Sequence, residues 1–342
     1  MSIFYIGLVL GMFSSLIGLG NMLFGSYARS LWGSTFRILL VTAAACIAPL
    51  TAGAFWAFPD VGWIRISFVA FGFIGFLKTA LFFFPYQWGI KRVNISSSSS
   101  TELADGVILN EYEVALPAAT ESTDSHSCLI ISDLHCNDRQ KLATLEQAIS
   151  RLLEFPPPDF IFHLGDFGEN SALLPDVIQN FSRLKAKYAS LCVLGNHDCE
   201  GGRRLQLQQL LGAHDIQLLE DELFTCAETG INILGLMHPW TRQPLPELSP
   251  AGFVICLTHT PDNIIHFEAM NVNIGFAGHT HGGKLRLPFV GAVLVPGKLG
   301  RFLDRGWFRL RDALLYLTPG IGYFPGKGGN LGEIALVTIQ RE

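Results

Sequence analysis

Charge is scarce in this 342-residue chain. Asp, Glu, Lys and Arg make up 15% of it, against about 25% in ordinary soluble domains. The net charge of −5 leaves no basic excess, which argues against nucleic acid as a partner through a broad cationic surface. The seven cysteines (46, 128, 136, 192, 199, 226 and 256) include no Cys-x-x-Cys pair, and their number is odd. A disulfide framework is therefore disfavoured. Most of them sit in apolar runs such as Cys128-Leu129-Ile130, the setting of buried, reduced thiols.

The missing charge is missing mainly before residue 90. Ile3–Phe24 holds no charged residue and is long enough to cross a hydrocarbon core, which needs about 20 residues. Ile38–Phe58 is a second such run, with Pro49 as a tolerable kink, and Ile66–Phe84 a third, interrupted only by Lys78. No basic start or small-residue cleavage site marks the first run as a signal peptide. We expect a transmembrane helical module over residues 1–93, with spans near 3–24, 38–58 and 66–84. Arg29 and Arg37 flank the first connection and Lys91-Arg92 follow the third run, while Arg65 alone stands on the other side. The positive-inside rule then puts the amino terminus outside. It makes the chain a multi-pass inner-membrane protein whose remainder faces the cytoplasm.

Residues 94–106, with the serine run Ser96–Ser100, read as a polar linker. From Val107 onward, short apolar runs read as strands. Cys128–Ser132, Phe160–Leu164 and Leu191–Leu194 precede helical stretches at 140–154, 171–188 and 202–212. Later runs (231–236, 253–258, 273–277, 313–318 and 333–339) alternate with loops. Helical crossovers early and strands late predict a two-sheet α/β sandwich over residues 107–342.

Chemistry gathers at the ends of those strands. Asp133-Leu134-His135, Gly165-Asp166, Gly195-Asn196-His197-Asp198, His259 and Gly278-His279-Thr280-His281 follow one another down the chain. The i, i+2 spacing of Asp133 with His135, and of His279 with His281, points each pair to one face of an extended strand end. Two histidines among the glycines 278, 282 and 283 have no packing purpose. Together the blocks offer imidazole, carboxylate and amide ligands to a pair of divalent cations, with Asp166 as the bridge. Such a set suits Mn²⁺, Fe²⁺ or Zn²⁺ and excludes a thiolate-bound structural zinc. Cation pairs of this kind serve phosphate-ester hydrolysis. Arg139, Lys284 and Arg286 are the nearest candidates in sequence for contacting a substrate phosphate. Leu299–Leu310 mixes arginines with Phe302, Trp307 and Phe308, the composition of a membrane-interfacial surface.

These blocks resemble the signature of the calcineurin-like metallophosphoesterases over roughly residues 110–340. Gly282-Gly283-Lys284-Leu285-Arg286-Leu287-Pro288, His259-Thr260-Pro261-Asp262 and Leu315–Gly322 are similar to its membrane-anchored bacterial members. The resemblance implies one metal held by Asp133, His135, Asp166 and His281, and another by Asp166, Asn196, His259 and His279. Mn²⁺ is the first choice for both. It implies that His197 orients the phosphate or protonates the leaving group, steadied by Glu169. It further implies cleavage of the pyrophosphate bond of UDP-2,3-diacylglucosamine, an acylated nucleotide sugar drawn from the membrane lipid, in lipid A biosynthesis. Another lipid or nucleotide phosphoester, or a non-catalytic membrane scaffold, are the alternatives. The chain departs from the family at Glu169 (usually Asp), Lys284 (usually Gln) and Gly332-Glu333 (usually Pro-Glu). None of the three is a ligand position, so the departures bear on substrate contacts.

Overall fold

The computed structural model describes residues 89–116, 124–241, 250–283, 291–297, 302–322 and 331–341, with 245, 247, 285–287 and 299 between them. The expected membrane spans lie outside the described residues. Among the described residues, no helix is long and apolar enough to cross a membrane.

In chain order the elements are β1 (Lys91–Val93), β2 (Ser99–Ala104), β3 (Val107–Leu116), β4 (Ser125–Ile131) and α1 (Arg139–Leu152). Next come β5 (Phe160–His163), α2 (Leu174–Phe181), β6 (Ala189–Cys192) and α3 (Arg203–Ala213). Then follow β7 (Gln217–Leu218), β8 (Glu222–Thr225), β9 (Asn232–Leu236), β10 (Val254–Thr258), a 3-10 helix (Pro261–His266) and β11 (Ile274–Ala277). The last are β12 (Leu285–Leu287), β13 (Gly291–Leu294), β14 (Gly306–Leu310), β15 (Ala313–Leu317) and β16 (Gly332–Arg341).

One seven-stranded sheet runs β1-β14-β15-β11-β10-β9-β8, and a second runs β2-β3-β16-β4-β5-β6-β7. A short β12-β13 pair stands apart from both. The two-sheet α/β architecture is therefore present. Strands β4 to β7 are parallel, joined by the three helices as crossovers. Strands β9, β10, β11 and β15 are also parallel, and every residue in them is buried. That is why they read as continuous apolar runs and not as alternating ones. Helix α1 starts where the Asp138 side chain accepts from Lys141 N, a side-chain N-cap. Its buried residues Leu142, Leu145, Ala148, Ile149 and Leu152 fall at helical spacing on one face. Between the sheets, Phe162 of β5 meets Phe276 of β11 at 5.8 Å between ring centroids. The core lies there.

Three segments differ from their expectation. The 94–106 stretch, expected as a linker, contains β2, which pairs antiparallel with β3. Ladder hydrogen bonds use the backbone, so serines at a sheet edge can form a strand. Helix α2 ends at Phe181 and not near 188, because Lys187 N and Tyr188 N bond back to Pro158 O and Asp159 O. Trp307 and Phe308 are 2% and 0% exposed within β14, between β1 and β15. They are core residues, and no membrane can reach them. All six described cysteines are free thiols, and only Cys199 is more than marginally exposed.

Candidate metal centre

In a parallel sheet the loops after the carboxyl ends of the strands meet at one edge, and four of the five blocks leave such ends. Asp133 follows β4, Asp166 follows β5, His259 follows β10 and His279 follows β11. Asn196 and His197 follow β6 after the short apolar stretch Val193-Leu194. Asp133, His135, Asp166, His279 and His281 all adopt a positive φ, between 47° and 73°. Left-handed backbone costs a non-glycine residue about 1 kcal/mol or more. Such a cluster of strain in five candidate ligands marks a site built for geometry at the expense of local stability. Close approach is enforced by glycine. A Cβ at Gly195 would overlap the Asp166 carboxylate, and one at Gly278 would overlap that of Asp133.

The side chains converge on two adjacent clusters. Asp133, His135 and His281 form one, and Asp166, His259 and His279 form the other; ligand atoms lie within 4.8 Å of one another in each. Asp166 also groups with His135 and His197, so it stands between the clusters as a bridge must. Its Oδ2 is 3.5 Å from His135 Nε2 and 3.2 Å from His259 Nε2. His135 Nε2 faces His281 Nε2 at 3.2 Å, and His259 Nε2 faces His279 Nδ1 at 3.2 Å. Two imidazole lone pairs at that distance require a proton or a cation between them. Asn196 Oδ1 is buried and has no hydrogen-bond partner among the described residues. An orphaned buried carbonyl is expensive, and a metal ligand is what relieves it. The donor set therefore fits a pair of divalent cations.

Outer partners fix which nitrogen of each ring faces inward. His259 Nδ1–H donates to Leu164 O at 2.7 Å, and His135 Nδ1–H donates to Glu169 Oε1 at 2.8 Å, leaving both Nε2 atoms for the centre. His197 Nδ1 lies 3.3 Å from the same Glu169 oxygen, and His197 N donates to Asp166 Oδ1 at 2.9 Å. Electrostatics match the geometry. Burial opposes charge on Asp166, but the imidazoles of His259 and His135 outweigh it and hold the carboxyl below its usual range. Burial likewise opposes the charged form of His259, yet Asp166 and Asp133 raise it to about 10. The His135 bond holds Glu169 down to about 2. Without a cation, the carboxylates and the protonated imidazoles hold each other's charge, and a divalent cation can take the place of those protons.

Of the other expected contacts, only Arg139 has a described side chain. Arg139 is exposed and paired with Asp176 at 2.7 Å. Lys284 and the Arg286 side chain lie outside the described residues. Conversely, three contributors carried no role from the sequence. Asp198 accepts from Asp166 N (2.6 Å), Phe167 N (3.0 Å) and Gly195 N (2.9 Å), tying two ligand loops together. Arg203 donates through Nε and Nη2 to His197 O, at 2.9 and 2.6 Å. Trp240 packs beside His259 and His279, with centroids 6.3 and 5.7 Å away. Asp198 was findable within the Asn-His-Asp block. The other two have no motif.

A two-sheet α/β sandwich with residues fit to hold two divalent cations at its strand ends matches what a metal-dependent phosphoesterase needs. Consistent with this, the calcineurin-like phosphoesterase family profile matches residues 126–283. Among its relatives is the metallophosphoesterase YkuE of Bacillus subtilis, 28% identical over 62% of this chain and 77% of that one. Another is the phosphodiesterase YaeI of Escherichia coli, 26% identical over 58% of this chain and 76% of the other. A third is the UDP-2,3-diacylglucosamine pyrophosphatase LpxG of Chlamydia trachomatis, 26% identical over 56% of this chain and 76% of its own length.

Proposed function

We propose that this phosphoesterase cleaves the pyrophosphate bond of UDP-2,3-diacylglucosamine, releasing UMP and 2,3-diacylglucosamine 1-phosphate. In this reading Asp133, His135, Asp166 and His281 hold one cation, and Asp166, Asn196, His259 and His279 hold the other. The observation that carries it is the Asp166 carboxylate shared between two ligand clusters, one of them beside His197. The likeness to LpxG supports the choice of substrate.

Two divalent cations, Mn²⁺ foremost, supply Lewis acidity toward the phosphate and an activated water when bound. The chain's own residues do the rest. His197 stands half-exposed at the mouth of the site, where its Nε2 can give a proton to the departing oxygen or bond a phosphate oxygen. Glu169 fixes its ring through Nδ1, and Arg203 fixes its backbone. Asp198 keeps the Asp166 and Gly195 loops in register. Water adds at the α-phosphorus and loses a proton to solvent as the P–O bond to the β-phosphate breaks, and the sugar phosphate leaves with the bonding electron pair, its oxygen either bearing the charge or taking a proton from His197. In this reading the apolar runs before residue 88 anchor the enzyme in the inner membrane with this domain toward the cytoplasm, and residues 91–93, expected in that module, belong to the sheet as β1.

Full-length protein assayed in detergent with Mn²⁺ should release UMP from UDP-2,3-diacylglucosamine faster than it cleaves bis(p-nitrophenyl) phosphate. Turnover of the simple diester alone would reassign it as a phosphodiesterase, in line with the YaeI relative. Loss of neither activity on removing the metal would overturn the metal mechanism.

A further inference from the structure

Trp240 reaches the metal centre from a loop outside all five ligand blocks. Its side chain is 4% exposed. The ring lies 6.3 Å from that of His259 and 5.7 Å from that of His279, at interplanar angles of 62° and 55°. The two imidazoles stand 5.0 Å apart at 66°. Three tilted rings in mutual contact therefore flank the cluster of Asp166, His259 and His279. Tilted rings at such separations attract one another beyond the area that they bury, and a large apolar ring keeps water from two ligands. The rings of the other cluster, His135 and His281, meet each other instead, and His135 also meets His197. The indole serves one cluster.

The loop that carries Trp240 is held at both ends by one carboxylate. Asp221, between β7 and β8, accepts from Met237 N through Oδ1 at 2.8 Å and from Thr241 Oγ1 through Oδ2 at 2.9 Å. Hydrogen bonds to an ionised acceptor are the stronger kind. Inside the loop, Trp240 N donates to Met237 O at 2.8 Å. A third tie runs to a ligand strand. Asn263 Nδ2 donates to His238 O at 2.9 Å and to Thr258 Oγ1 at 2.8 Å, and Thr258 ends β10 directly before His259. Asn263 and Thr258 are both buried. The turn is thus fixed on either side of the indole and joined to the strand end that presents a ligand. Filling a core needs no such bracket; aiming a ring does.

We propose that Trp240 is a positioning residue for the cation held by Asp166, Asn196, His259 and His279, and that Asp221 sets the place of its ring. The role rests on the two-cation reading of the centre and not on the identity of the substrate. Without the indole, both imidazoles gain freedom and water reaches them, and a cation site weakens when its outer shell is lost. The test titrates full-length protein in detergent with Mn²⁺, by calorimetry and by tryptophan fluorescence, which paramagnetic Mn²⁺ quenches at a nearby indole. Trp240→Ala should weaken one of the two sites roughly 10–100-fold and leave the other unchanged. Trp240→Phe, which keeps an aromatic ring, should hold that affinity within about threefold while losing the share of quenching that Trp240 supplies. Asp221→Asn, which cannot accept from both donors, should weaken the same site as Trp240→Ala. If Trp240→Ala fails to fold, Asp221→Asn and Trp240→Phe decide the matter. Equal weakening of both sites, unchanged affinity in folded Asp221→Asn, or full quenching in Trp240→Phe would each overturn the role. Absence of Mn²⁺ binding by the unsubstituted protein would sink the two-cation centre and this role with it. Two bound Mn²⁺ whose affinities ignore the variants would sink the role alone.

Discussion

Glu169 Oε1 accepts from His135 Nδ1 at 2.8 Å, and the same oxygen lies 3.3 Å from Nδ1 of His197. One carboxylate thereby orients a metal ligand and the proposed proton donor together. Glu169→Gln keeps the shape and removes the charge that favours Nδ1–H on both rings. We expect Mn²⁺ affinity to fall roughly 10–100-fold, the usual cost of losing an outer partner. Turnover at saturating Mn²⁺ should fall as well, because His197 loses its anchor. Calorimetric Mn²⁺ titration separates the two effects. Unchanged affinity with unchanged turnover would remove Glu169 from the machinery.

Asp166→Asn tests the bridge. An amide cannot balance the charge of two cations, so activity should fall well beyond the roughly 10–100-fold cost of an outer partner. The metal content of the purified variant should drop below two per chain while its circular dichroism stays native. A folded Asp166→Asn protein with near-normal turnover would sink the two-metal reading.

The pH dependence follows from the raised proton affinity of His259. Its folded value, about 10, lies above the ordinary imidazole value. In metal-free protein the resulting stabilisation is fully present below about pH 6.5 and is lost as pH rises through about 10. A cation must displace that proton, so Mn²⁺ affinity should rise with pH by about tenfold per unit for each proton released. Titrations in buffers of different ionisation enthalpy count the protons. An affinity flat between pH 6 and 8 would mean that these imidazoles are not ligands.

Asp198 is buried with three backbone N–H donors on its carboxylate. Asp198→Ala leaves those donors without a partner, at a cost of about 1–3 kcal/mol for each one that stays dry. Denaturant unfolding of metal-free protein should show a loss of at least that size. Stability equal to the unsubstituted chain would mean that water replaces the carboxylate, and that it organises nothing.

The sequence displays some of this plainly and hides the rest for physical reasons. Asp133, His135, Asp166, Asn196, His259, His279 and His281 stand out because each follows an apolar run, and no core needs histidine between glycines. Their convergence depends on which strand ends lie side by side, and pairings such as β10 with β11 fix that. The partners of the ligands are harder to see. Arg203 acts through one bidentate contact to a backbone oxygen, six residues from His197, and no pattern of residue types signals that. Trp307 and Phe308 mislead because arginines and aromatics mix at an interface and in a strand beside a charged edge alike. Arg92 resolves the ambiguity here by stacking on Phe308 from β1, with its guanidinium 4.6 Å from the ring centroid.

Strand β1 changes how the proposed membrane module must be tested. Cutting before Val107 would remove β1 and β2, and with them one edge strand from each sheet. Any loss of activity would then report damage to the fold. The cut belongs near Gly89, ahead of β1, where the compact catalytic unit begins at residue 88. A chain starting there keeps both sheets and the metal centre, so kcat/KM on bis(p-nitrophenyl) phosphate should stay within about twofold of the full-length value. On UDP-2,3-diacylglucosamine in matched detergent, kcat/KM should drop far more, because binding energy from the acylated end no longer helps to position the phosphorus. Equal losses on the two substrates would make residues 1–88 a tether only. A truncated protein as active as the full chain on the lipid would place lipid recognition entirely within the catalytic domain.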